Sequence, residues 1–68
     1  GGRDGLAIIR TLLREARDRL QPHGIVVIEV GGLHAAIERE FGRLKPQWLP
    51  TQDGSDCVVA FAAARLKA

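Results

Sequence analysis

From Leu6 onward, apolar residues recur three and four apart at Leu6, Ile9, Leu13, Ala16 and Leu20, with Leu12 widening the stripe. Arg10, Arg14, Arg17 and Asp18 occupy the other faces. That spacing predicts an amphipathic helix, with Asp4 placed to cap it by accepting a backbone N–H. Arg14 with Asp18, and Glu15 with Arg19, are expected as i,i+4 pairs worth about 0.3 kcal/mol each. Pro22 ends the helix, and Pro22-His23-Gly24 reads as a tight turn.

The pattern then changes. Residues 25–30 run Ile-Val-Val-Ile-Glu-Val. Four β-branched residues in a row do not alternate inside and outside, which predicts a strand covered on both faces. Gly31 and Gly32 break it, and a second helix is expected over residues 33–41, with Leu33, Ile37 and Phe41 on one face and Gly42 as its C-terminal stop. Beyond Lys45-Pro46, residues 47–52 form a weaker strand. Pro50 has no N–H to donate, so this strand belongs at a sheet edge. Asp53-Gly54-Ser55 is a turn, and residues 57–62 are apolar at every position, which predicts a central strand. A β–α–β crossover sets the first two strands parallel. The third returns antiparallel, and it is central only if it inserts between the other two.

With 68 residues, the chain has room for one small domain or part of a larger one, since chains this short bury only roughly 60% of their unfolded surface. The Gly1-Gly2 opening fits a segment of a longer protein. A 46% apolar and 26% charged composition is that of a globular chain. The net charge of +2 comes without a basic block of the kind that marks a nucleic-acid arm. One cysteine, Cys57, excludes an internal disulfide and fits a reducing compartment. No run is long and apolar enough to be a membrane span or a signal peptide, and the expected location is the cytoplasm.

An inserted antiparallel last strand resembles the ending of the class I S-adenosylmethionine-dependent methyltransferase fold, which is Rossmann-like α/β. The residues resemble one branch of it. Gly2-Arg3-Asp4-Gly5-Leu6, Arg10, Leu12-Leu13, Ala16, Leu20, Pro22 and Gly24, followed by Glu29-Val30-Gly31, are similar to the protein-glutamine methyltransferases. These modify the side-chain amide of glutamine in release factors or in a large-subunit ribosomal protein. Trp48-Leu49 and Gly54-Ser55-Asp56 before Val58-Val59 resemble the ribosomal-protein branch. The release-factor branch often carries glutamine where this chain has Gly32-Leu33-His34.

The resemblance implies that residues 1–68 are the C-terminal segment of a single catalytic domain whose donor-binding half is missing. In the family a glycine-rich loop holds S-adenosylmethionine, and an Asn-Pro-Pro-Tyr element grips the acceptor amide. This chain has neither asparagine nor tyrosine. Gly1-Gly2 and Gly31-Gly32 lack the G-x-G-x-x-G spacing. No catalytic or cofactor-binding residue is therefore expected here, and no S-adenosylmethionine is expected on the segment alone.

Glu29 interrupts an apolar strand near its carboxyl end, which in open α/β sheets faces the ligand crevice. With Gly31 and His34 it forms the expected substrate-proximal group. The more economical reading has Glu29 capping the next helix or pairing with an arginine, so that Glu29→Gln leaves turnover nearly unchanged. His23 and His34 have no metal-ligand spacing, and no metal site is expected. Cys57 reads as a buried, inert thiol, and Trp48 as a packing residue. Arg10, Arg14 and Arg17 form a basic helix face, more economically a solvated one than a surface for RNA.

The sequence thus predicts part of a methyltransferase acting on the glutamine amide of a translation protein, inactive by itself. A nucleic-acid adenine N-methyltransferase segment and a small standalone α/β interaction module are the alternatives. The first strand, bare at its outer edge, is expected to make the segment self-associate.

Overall fold

A computed structural model of the chain describes residues 5–55 and 57–68. Asp4, the expected cap, and the Gly2-Arg3-Asp4 and Asp56 positions of the resemblance lie outside them.

Helix α1, Ala7–Arg19, follows the predicted stripe, with Ile9 and Leu13 buried. Its end is set by the turn expected at Pro22. The Gly24 amide donates to the Gln21 carbonyl at 2.8 Å, with Pro22 at the second position of the turn, where its fixed φ is an advantage. Asp18 accepts from Arg17, its neighbour, at 3.2 Å and not from Arg14 as expected. Both partners are solvated, and the adjacent side chain is simply nearer.

Strand β1, Ile25–Glu29, leads through Gly31 into helix α2, His34–Phe41. Gly31 has φ +59°, a left-handed conformation that disfavours any residue with a Cβ. The helix ends at Phe41 as predicted, but Gly42 is not its left-handed stop. Its φ of −56° keeps it right-handed, and the chain tightens into a 3₁₀ turn, Gly42–Leu44, before reversing at Lys45, φ 57°. The left-handed residue is thus displaced three positions, to the one preceding Pro46.

Strand β2 is shorter than predicted, Gln47–Leu49, because pairing stops at Pro50. The turn at Asp53-Gly54-Ser55 forms as expected, with Gly54 at φ +70°. Strand β3, Val58–Ala62, follows, and its ladder gains one bond from the Val30 amide to the Cys57 carbonyl at 2.7 Å. A short helix α3, Ala63–Leu66, closes the chain. It was not foreseen, since Ala-Ala-Ala continues the apolar run of β3 without a break. The Ala63 amide anchors its start on the Gly24 carbonyl at 2.9 Å.

The sheet order is β1-β3-β2. Strand β3 is antiparallel to both neighbours, pairing Val26 with Phe61 and Ile28 with Val59 on one side, and Trp48 with Val59 on the other. The inserted central strand read from the sequence is therefore present, as is the Pro50-terminated edge. The three-stranded sheet and its helices make a small α/β unit.

Its two faces differ. Val59 and Phe61 are fully buried, and Val26, Ile28 and Trp48 join them against Ile9, Leu13, Ile37 and Phe41 of the two long helices. Phe41 meets Phe61 edge-on, with ring centroids 6.3 Å apart, the arrangement that aromatic quadrupoles prefer. On the opposite face Ile25 is 60% exposed and Val27 50%. The expectation that β1 is covered on both faces is thus not met. Helices α1 and α2 pack on the same side, and no described helix covers the other, which is bordered by the loop at residues 51–55 and the side chains of Lys45 and Arg65. The outer edge of β1 has no strand partner among the described residues. Among the described residues no helix is long and apolar enough to cross a membrane.

Candidate functional site

Pleating decides where the candidate residues point, because successive side chains of a strand alternate between faces. Glu29 is two residues beyond Val27 and four beyond Ile25, so it shares their open face. It is opposite Val58, which pairs in turn with Leu49. The exposed Glu29 side chain borders a polar cavity of about 450 Å³, walled by Thr51, Gln52, Asp53, Ser55 and Cys57. The cavity lies at the carboxyl ends of β1 and β2.

That wall is a self-bonded loop. Thr51 Oγ1 donates to Asp53 Oδ1 at 3.0 Å, and the Ser55 amide donates to Asp53 Oδ1 and Thr51 Oγ1, each at 3.0 Å. An aspartate that accepts a turn amide two residues on forms an Asx-turn. The Ser55 bonds, side chain first and then backbone, together with Thr51, hold the Asp53 carboxyl below its ordinary value of 3.8. Cys57 is half-buried and not fully enclosed as expected, and its Sγ accepts from Ser55 Oγ at 3.0 Å. The turn brings that hydroxyl back over the thiol.

Among the described residues neither role in the economical reading of Glu29 is realised. Helix α2 has no side-chain cap, and Glu29 forms no ion pair or side-chain hydrogen bond with another described residue. Its carboxylate stands at the mouth of a polar cavity. The reason is topological: α1 and α2 with their arginines are on the far side of the sheet, and Arg65, on the open face, borders a separate cavity at the other end of β1, beside Ile25.

His34 lies on that far side. Its ring stacks on Trp48, with centroids 3.8 Å apart and planes within 14°, and Trp48 Nε1 donates to Glu38 at 2.6 Å. Trp48 therefore packs, as predicted, between α2 and the sheet. Gly31 is exposed at the turn between the two regions. The structure separates Glu29 from His34 by the thickness of the sheet, so the three expected residues do not converge on one pocket. What sequence reasoning missed is the Thr51–Ser55 wall. Its signal was present in the Thr-x-Asp-Gly-Ser pattern, which was read only as a turn.

A Cβ placed on Gly31 or Gly32 meets nothing within 4 Å, so these glycines are not making room for a close ligand. No group of three or more metal-ligating side chains occurs among the described residues.

The basic face of α1 is only partly solvated. Arg10 reaches across to α2 and makes a two-pronged ion pair with Glu40, Nε to Oε2 at 2.7 Å and Nη2 to Oε1 at 2.8 Å. Arg10, Arg14 and Arg17 border a second cavity with Arg43, which the 3₁₀ turn brings alongside.

Comparison with known proteins agrees with the resemblance read from the residues. No family model matches the chain, and no solved structure matches it. Among curated proteins, it is 43% identical over all 68 residues to the ribosomal protein uL3 glutamine methyltransferase of Burkholderia pseudomallei. It is 38% identical over 66 residues to the protein of the same name from Bradyrhizobium diazoefficiens, and 33% identical over 66 residues to that from Bordetella pertussis. The chain spans only 21–22% of the length of these relatives. The similarity thus covers nearly the whole chain but about a fifth of each relative, and it favours the ribosomal-protein branch over the release-factor branch. The chain is related along nearly its whole length to the ribosomal protein uL3 glutamine methyltransferases.

Proposed function

We propose that the whole protein transfers a methyl group from S-adenosylmethionine to a glutamine side-chain amide of ribosomal protein uL3, in the cytoplasm. The chain described is the C-terminal segment of its single catalytic domain. The observation that carries this reading is similarity along the entire segment to three methyltransferases of that name. The open apolar face and bare β1 edge support it, because both are surfaces that a larger Rossmann-like sheet and its helices would cover. An adenine acceptor and a standalone module receive no comparable support.

In this reading the segment contributes no donor-binding or catalytic group. It completes the sheet, covers one face with α1 and α2, and borders the acceptor side at Glu29 and Gly31. His34 acts one step removed, by fixing Trp48 and so the edge strand. The chemistry is displacement at a methyl carbon by an amide nitrogen, and alignment of the two dominates its rate. The Glu29 carboxylate is placed to accept a hydrogen bond from the acceptor amide N–H.

The test is a methylation assay on the whole protein with uL3 as acceptor, followed by mass mapping of the modified residue. Methyl on a glutamine amide supports the reading, whereas methyl on an adenine amine of a nucleic-acid substrate overturns it. Glu29→Gln is expected to lower turnover more than tenfold; a change under twofold removes Glu29 from the acceptor side. The 68-residue chain alone should show no heat of binding on titration with S-adenosylmethionine, and micromolar affinity would refute the assigned division of labour.

A further inference from the structure

The second cavity, about 190 Å³ between α1, the 3₁₀ turn and α3, is bordered by four arginines, Arg10, Arg14, Arg17 and Arg43, and by no carboxylate. Its floor is apolar, with Leu13 and Phe41 beneath. We propose that this cleft binds the phosphate backbone of RNA, so that the acceptor is engaged as a ribonucleoprotein and not as free uL3. This rests on the methyltransferase reading above for its biological setting, although the binding itself does not.

Two observations carry it. The first is the charge balance. Arg10 is neutralised by Glu40, and Arg17 touches Asp18, but Arg14 and Arg43 have no carboxylate partner among the described residues. Lys67 adds a further cation beside the cleft, its Nζ donating to the Arg17 carbonyl at 2.6 Å. The second is geometry. Arg10, Arg14 and Arg17 climb α1 in steps of roughly 6 and 4.5 Å at 1.5 Å per residue, comparable to the separation of successive phosphates along a strand. Arg43 faces them from the other wall, and guanidinium forks match phosphate oxygens in pairs. The cleft also lies on the helix layer, away from the open face that carries Glu29, so both partners could be held together.

The experiment is fluorescence anisotropy of a labelled single-stranded oligoribonucleotide titrated with the 68-residue chain across a range of salt, without methyl donor or uL3. With three phosphates neutralised, log Kobs should fall against log salt with a slope of about −2, at −0.7 per phosphate for a single strand. Replacing the exposed Arg14 and Arg43 together (Arg14→Gln, Arg43→Gln) should reduce that slope to about −0.7 and weaken binding at least tenfold. Arg65→Gln removes one charge beside the open face, where Arg65 borders a different cavity, and should change binding less than twofold. Far-UV circular dichroism checks that each variant is folded, and Arg14→Glu alone serves if the double variant is not. The proposal is overturned if the wild-type chain does not bind, if the folded cleft variants bind as tightly as wild type, if Arg65→Gln is equally damaging, or if polyglutamate of equal length competes as well as RNA. None of these outcomes bears on methyl transfer to uL3, which the preceding assay decides separately.

Discussion

Replacing Phe61 by alanine should destabilise the chain severely, whereas replacing Val27, on the other side of the sheet, should be nearly silent. Phe61 is fully buried at the centre of β3 and meets Phe41 edge-on. Truncating a buried phenylalanine to alanine costs about 3–5 kcal/mol, through lost transfer energy and the cavity left behind. A domain of this length has roughly 3–10 kcal/mol in total, so Phe61→Ala should remove from about a third to all of it. Ile37→Val, also at a fully buried site, gives a milder measure of the same layer at about 0.5–1.5 kcal/mol. Val27 is 50% exposed, and Val27→Thr keeps the β-branch, so its effect should stay within about 0.5 kcal/mol. Urea unfolding followed by the fluorescence of Trp48, the one tryptophan, reads all three. With a slope near 1 kcal/mol per molar urea, Ile37→Val should move the midpoint down by about 0.5–1.5 M. If Val27→Thr costs as much as Ile37→Val, the two faces of the sheet are energetically alike and the one-sided core is wrong. The same holds if Phe61→Ala costs under about 1 kcal/mol.

Further outcomes follow from the surface and the loops. The open face and the unpaired β1 edge should make the isolated chain self-associate, and Val27→Lys should return it to a monomer in sedimentation velocity; a strictly monomeric wild type at high concentration contradicts this. Glu40→Gln breaks the two-pronged pair with Arg10, whose side chains are 41% and 34% exposed on the Arg10 and Glu40 sides. Solvent screening limits the loss to roughly 0.5–1 kcal/mol, and the loss should shrink at high salt in parallel urea titrations. The Asp53 carboxyl has a lowered value in the folded loop, so its contribution is complete above the ordinary carboxylate range and is lost as pH falls through the lowered value. The amide shift of Ser55 should therefore titrate with a midpoint below 3.8, and Asp53→Asn should abolish that titration.

What could be read from the residues was whatever local chemistry dictates. The stripe through Ile9 and Leu13 forced α1, and Pro22 forced its end. The contrast between Pro50 and the unbroken apolar run at 57–62 places β3 between its neighbours from the residues alone, because one segment could not be interior and the other could not be anything else. The errors arose where distant parts of the chain decide. Four β-branched residues in β1 promised cover on both faces, but which faces are covered depends on where α1 and α2 pack. Glu29 lost its expected partners for the same reason, and Arg43 entered the arginine cleft only through the 3₁₀ turn after α2. Gly42 looked like a stop, yet the reversal came at Lys45. The helical turn at Ala63–Leu66 was hidden because alanine fits the end of a strand and the start of a helix equally well.

The insertion of β3 also has a consequence for how the sheet comes into being. Strand β2 has β3 as its one partner among the described residues, so it cannot begin a ladder while β3 is unsynthesised. A growing polypeptide would thus expose Trp48 and the inner edge of β1 unzipped until residues 58–62 have left the ribosomal tunnel. One late arrival would then close both seams together. Such non-local zippering is slow by nature and leaves sticky intermediates open to capture. A nascent chain of this design is therefore a natural client for a ribosome-associated chaperone during that interval.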